Sequence, residues 1–90
     1  MNKPEFIQIR NKIRAYYPDS AILETNECII AWYEVFKSMT YATLDKAVDI
    51  WVMDNKWPPS IAELLECSKK ANAKLQLIEI ENIYLKGGAR

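Results

Sequence analysis

Apolar residues recur every three or four positions along most of the chain, the period of an α-helix packed on one side. Phe6, Ile9, Ile13, Tyr16 and Tyr17 form the first such stripe. The spacing predicts a helix from about Pro4 to Tyr17, with Pro4 in the first turn, where a missing N–H costs nothing. Pro18-Asp19-Ser20 ends it, and residues 18–24 read as a connector whose Ala21, Ile22 and Leu23 tuck against the core. Thr25 suits the N-cap of a second helix, because its hydroxyl can accept from the free N–H groups that follow. The inner side of that helix carries Cys28, Ile29, Trp32, Val35, Phe36 and Met39, with Ile30 and Tyr33 outside the stripe. Thr40 caps a third helix with the inner stripe Leu44, Ala47, Val48, Trp51 and Val52. Asp45, Lys46, Asp49 and Met53 point outward from it.

Asn55-Lys56-Trp57-Pro58-Pro59 is the clearest break in the chain, since a double proline cannot continue a helix. Ser60 and Glu63 then stand at capping-box spacing, so a fourth helix starts at Ile61. Its first half has the inner stripe Ile61, Leu64, Leu65, Ser68, Ala71 and Leu75. Leu77, Ile80 and Tyr84 then share a different face, flanked by Ile78 and Leu85. Three readings stay open. The helix bends near Asn72–Lys74 and returns these residues to the core, or the face meets a partner or a second copy of the chain. Otherwise the alternation at Leu75, Leu77 and Ile80 marks a short strand. The expected fold is all-α: a small bundle of about four helices with a long or bent C-terminal helix. Residues 1–70 form the bundle domain, and 71–90 a helical extension and partner-binding segment.

Composition supports one small helical domain. The chain has 90 residues, half of them hydrophobic, with two glycines and four prolines. The net charge is zero but segregated. Residues 1–18 carry +3, residues 19–66 carry −6 and residues 67–90 carry +3. That pattern points to a polarised surface and away from a dedicated DNA-binding domain, which is normally basic overall. The start, Asn2-Lys3-Pro4-Glu5, is polar where a signal segment would build, and no apolar run approaches membrane-spanning length. An intracellular, membrane-free setting is therefore expected, with Cys28 and Cys67 as reduced core or near-core residues.

Little catalytic chemistry is on offer. Histidine is absent, which removes the commonest general base. Two cysteines cannot build a structural zinc site, and no glycine-rich phosphate loop precedes a helix. No metal and no cofactor are expected. Asp45 with Asp49, and Glu63 with Glu66, could bind a divalent metal, but read more simply as solvated acids with Lys46 and Lys70 as loose partners. The chain reads as a non-enzyme.

Binding is the better-supported chemistry. Arg10, Lys12 and Arg14, beside Tyr16 and Tyr17, could follow a nucleic-acid backbone. The simpler reading is core packing with a solvated basic edge, because four bases make a weak electrostatic footprint. Trp57, in the proline loop, is either a plug over the bundle end or an exposed anchor for a protein partner. The simpler of the two is the plug.

Three segments together resemble the bacteriophage helicase loader/inhibitor family. They are Ile13-Arg14-Ala15-Tyr16-Tyr17-Pro18; Trp32-Tyr33-Glu34 followed by Lys37, Tyr41 and Ala47-Val48; and Asn55-Lys56-Trp57-Pro58-Pro59-Ser60-Ile61-Ala62-Glu63-Leu64. The likeness covers roughly residues 7–70 in order and spacing. It implies a compact helical N-terminal domain and a flexible C-terminal region that touches a hexameric replicative helicase in the bacterial cytoplasm. The helicase's ATPase is restrained, and the helicase is delivered to an origin-bound phage initiator. The C-terminal region maps onto residues 71–90, where Leu77, Ile80, Tyr84 and Leu85, with Trp57, are the expected partner-binding residues. The apolar content of this tail departs from a disordered tail. A relative that targets the host helicase loader is one alternative. A nucleic-acid-binding accessory protein using Arg10, Lys12, Arg14, Lys69, Lys70 and Lys74 is another, and a protein that self-associates through its C-terminal helix is a third.

Overall fold

A computed structural model describes the backbone of residues 1–88 and the side chains of residues 1–74. Four helices appear among the described residues: α1 (Lys3–Tyr16), α2 (Asn26–Phe36), α3 (Tyr41–Asp54) and α4 (Ile61–Gly88). The all-α bundle expected from periodicity is the fold. The strand alternative for the end of the chain gives way to helix.

Each helix starts where a local cap places it. The Asn2 side chain accepts from the Glu5 N–H at 2.9 Å, and the Glu5 carboxylate accepts from the Asn2 N–H at 2.9 Å. This capping box starts α1 one residue before Pro4. Thr25 accepts from the Cys28 N–H and Thr40 from the Thr43 N–H, as expected of N-caps. Ser60 and Glu63 complete a second capping box, with bonds of 3.2 and 2.9 Å.

The centre of the bundle is α3, which packs along α4 on one side and against α1 on another. Phe6, Ile9 and Ile13 from α1 meet Leu44, Ala47 and Val48 from α3 and Leu64, Cys67 and Ala71 from α4 in one core. Ala47 and Ala71 are fully buried, and their small size suits closely approaching backbones. Ser68 is also buried and satisfied, its hydroxyl donating to the Leu64 carbonyl at 2.7 Å. Leu65, expected on the inner stripe, is largely exposed, because the face toward α3 is the narrow row Leu64, Cys67, Ser68 and Ala71. Tyr16 is likewise exposed while Tyr17 is buried, since neighbouring residues on a helix point about 100° apart.

The first two helices form an antiparallel pair. At one end, the Met1 ammonium donates to the carbonyls of Lys37 (2.9 Å) and Met39 (3.1 Å), just past α2. A positive charge there complements the negative end of the helix dipole. The Tyr33 hydroxyl donates back to the Met1 carbonyl at 3.3 Å. At the other end, Arg10 Nε donates to the Leu23 carbonyl (3.1 Å) and an Arg14 guanidinium nitrogen to the Ile22 carbonyl (2.8 Å). These arginines hold the connector in place. Leu23 sits at φ 53, a left-handed conformation costly for a β-carbon-bearing residue, while its side chain is buried.

α2 differs from its expected packing. Phe36 is its only buried residue, although eight of its eleven residues are apolar or aromatic. Cys28 and Val35, expected on the inner side, are exposed, and Trp32 is only half-buried. The helix touches the bundle along one side, formed by Ile29, Trp32, Tyr33 and Phe36, so Cys28, Ile30 and Val35 on its flanks stay open.

A half-buried ion pair ties α1 to α3. Lys12 Nζ lies 2.7 Å from Asp45 and 2.6 Å from Asp49, whose spacing of four puts both carboxylates on one helical face. The two acids were expected to point into solvent near Lys46, but their partner comes from a different helix. Partial burial pulls the Lys12 pKa down, but hydrogen bonds to both aspartates and their charges outweigh this and hold it above its ordinary 10.5. A raised folded-state pKa means the contribution is complete below 10.5 and fades as pH rises through the folded value. Lys12→Met is therefore expected to cost about 1 kcal/mol in urea unfolding at neutral pH, a figure reduced for solvent screening. On the alkaline side, the gap between the variant and the unaltered protein should begin to narrow only above pH 10.5.

Candidate protein-binding site

The loop between α3 and α4 is held by hydrogen bonds from two helices. The Tyr17 hydroxyl donates to the Asn55 carbonyl at 2.9 Å, joining the end of α1 to the start of the loop. The Asn55 amide donates to the Trp51 carbonyl at 2.8 Å, and Trp51 Nε1 donates to the Trp57 carbonyl at 2.7 Å. Pro58 and Pro59 fix their own φ angles, and Pro59 is buried. Burial of the Tyr17 phenol pushes its pKa above 10.0, so it stays a neutral donor at physiological pH.

With its backbone held from both sides, Trp57 turns its side chain outward and is 78% exposed. The plug expected over the bundle end is not what forms. The indole that closes this end belongs to Trp51, half-buried against the core, and its N–H takes the Trp57 carbonyl. Periodicity could not separate the two, because a loop residue has no place on a helical wheel. A groove of about 520 Å³ runs between the loop and the end of α1. Tyr16, Tyr17 and Pro18 line it on one side, and Lys56, Trp57 and Pro58 on the other. Exposed aromatic rings on a fixed backbone make good interface anchors, because little rotamer and backbone freedom is lost on binding.

The other candidate residues fall elsewhere. The side chains of Leu77, Ile80, Tyr84 and Leu85 lie outside the described residues. Arg10 and Arg14 are half-buried and bonded to the connector carbonyls, and Lys12 is held between two aspartates. The structure thus gives all three bases internal partners and does not gather them with Trp57. Cys67 is buried, which pushes its thiol pKa up, while Cys28 lies on the surface rather than near the core. Glu63 serves the α4 cap, and Glu66 lies 3.5 Å from Lys69, not from Lys70. No group of acidic or sulfur ligands fit for a metal ion occurs among the described residues. No helix among the described residues is long and apolar enough to cross a membrane.

A second apolar feature was not anticipated as a site. A cleft of about 360 Å³ between α1 and α2 has Phe6, Ile29 and Tyr33 at its floor, Ile7 and Ile30 at its lips, and Lys3 and Glu34 at its rim. The signal lay in two isoleucines off the inner stripes, of which only Ile30 stands out from the periodicity.

Residues 1–65 match the family model for the N-terminal domain of a phage helicase loader/inhibitor. The chain belongs to this family. The match takes in α1, α2, α3, the proline loop and the first turn of α4, so both the Tyr17–Asn55 tie and Trp57 lie inside the loader/inhibitor domain. It begins earlier than the resemblance legible in the sequence, which started near residue 7. Membership makes the chain a helicase-associated phage protein of a regulatory family. No curated protein and no solved structure matches it.

The proline loop of the loader/inhibitor domain should separate stability from recognition. Tyr17→Phe removes one hydrogen bond and is expected to lower unfolding free energy by about 1 kcal/mol. Trp57→Ala should change it by less than about 0.5 kcal/mol, as for an exposed side chain. Urea midpoints of the two variants measured side by side check both values.

Proposed function

We propose that this chain binds a hexameric replicative helicase in the bacterial cytoplasm, restrains its ATP hydrolysis and helps deliver it to an origin held by a phage initiator protein. It does so without catalysis of its own. The reading is carried by Trp57, a large aromatic side chain left in solvent on a loop pinned at Asn55 and Trp57, within the region that matches the loader/inhibitor family. Trp57 is the rigid anchor of the contact. The extension at 71–90 adds a second contact through Leu77, Ile80, Tyr84 and Leu85.

The internal bonding of Arg10, Lys12 and Arg14 works against a nucleic-acid ligand. A phosphate backbone would have to draw the two arginines off the connector carbonyls and the lysine off its aspartates, and each exchange costs part of the affinity gained.

Gel filtration of purified protein with a replicative helicase, with and without ATP, tests the reading. Co-elution and a lowered ATPase rate are expected. Trp57→Ala should weaken the complex about tenfold or more, as loss of an aromatic anchor does. Failure to co-elute under either condition contradicts the proposal. Co-elution with the host helicase loader alone would redirect it to inhibition of that loader.

A further inference from the structure

The cleft between α1 and α2 has edges of opposite charge. Along α1, Lys3, Ile7, Arg10 and Arg14 follow one another at helical spacing and share one edge. Along α2, Glu27, Ile30 and Glu34 do the same. Ile7 is 38% and Ile30 61% exposed, and the floor is closed by Phe6 packed edge-on against Tyr33 at 5.8 Å between ring centroids. Each edge therefore reads charge, isoleucine, charge, with bases on α1 and acids on α2.

The two helices run in opposite directions, as the Met1–Lys37 bond at one end and the Arg14–Ile22 bond at the other require. Lys3 and Glu34 accordingly flank one end of the cleft. Lys37 and, more weakly, Lys3 hold the Glu34 carboxylate below its usual pKa. By the same directions, Arg10 and Arg14 stand toward the end where α2 begins, donating to the Leu23 and Ile22 carbonyls.

We propose that a second copy of the chain docks on this cleft about a two-fold axis running along it. Such a rotation lays α1 of one copy over α2 of the other, antiparallel and in register. Lys3 then meets Glu34 of the other copy and Ile7 meets Ile30, while Arg10 and Arg14 keep their bonds to the connector carbonyls. The surface is self-complementary, which an isologous contact requires. The opposed edges supply the charge complementarity that fixes register. The contact covers the flank of α2 that carries Ile30, which the monomer leaves exposed. It does not involve Trp57 or depend on a helicase.

Sedimentation equilibrium of the full chain from about 10 to 200 µM, the range of weak protein association, tests the proposal. A dimer is expected. Ile30→Glu should give a monomer, with circular dichroism unchanged because the side chain is exposed; Ile30→Ala, which buries no charge, should weaken association in the same direction. Lys3→Glu and Glu34→Lys should each weaken association about fivefold, and the double variant should recover most of that loss, as coupled contacts do. A monomer at every concentration overturns the proposal. So does a charge swap that restores nothing, or a dimer broken by Leu77→Glu but not by Ile30→Glu. A monomeric protein whose Ile30→Glu variant loses helicase binding would assign the cleft to the helicase, and would also overturn it.

Discussion

The bundle closes on a loop held by hydrogen bonds from three directions. Tyr17 reaches across from the end of α1 to the Asn55 carbonyl, Asn55 folds back on the last turn of α3, and the Trp51 indole takes the Trp57 carbonyl. The two prolines that follow cannot donate backbone hydrogen bonds, so the loop's order rests on its carbonyls finding donors elsewhere. The contacts have several consequences. They set the angle at which α4 leaves α3, they tie α1 into the same corner, and they leave the Trp57 ring no place against the core. An exposed tryptophan on a loose loop would be an aggregation hazard; a clamped one suits the anchor role proposed for it.

Charge organises the contacts of the chain's first fourteen residues. The Met1 ammonium sits on the carbonyls that end α2, and Lys12 bridges two aspartates on α3. With Arg10 and Arg14 on the connector, most of the basic block at the start of the chain is engaged in internal contacts. Its +3 charge thus has a structural explanation that needs no polyanionic ligand. Among the described residues, α2 is the least enclosed element. Its composition is that of a buried helix, yet only Phe36 is buried. In so small a domain, a helix this apolar leaves an exposed apolar surface of the kind that partners cover.

Local signals were legible in the sequence and non-local ones were not. Thr25, Thr40 and the Ser60–Glu63 pair cap helices by contacts within three residues, so spacing alone located those helix starts. The α3 stripe of Leu44, Ala47 and Val48 was legible because its residues recur at helical spacing within one element. Lys12 finds Asp45 across 33 residues, and no periodicity records which acid faces which base. The roles of Arg10 and Arg14 depend on Leu23 in its left-handed conformation, which only tertiary packing imposes. Cys28 and Val35 were misplaced because an apolar stripe shows what a helix could bury, not how much of it the neighbours cover. Trp57 was ambiguous because a loop between prolines has no face to read. The family likeness, by contrast, was carried by residues that lie almost wholly within the matched region 1–65.

Tyr17 and Trp51 hold the loop presenting Trp57, and its proposed use as an anchor depends on the rigidity this confers. Backbone ¹⁵N relaxation at the Asn55, Lys56 and Trp57 amides reads this property directly. Order parameters of about 0.85, equal to those of α3, are expected, falling selectively in this loop when Tyr17 is changed to Phe. Values below about 0.6 in the unaltered protein would mean a mobile loop and would contradict a clamped anchor.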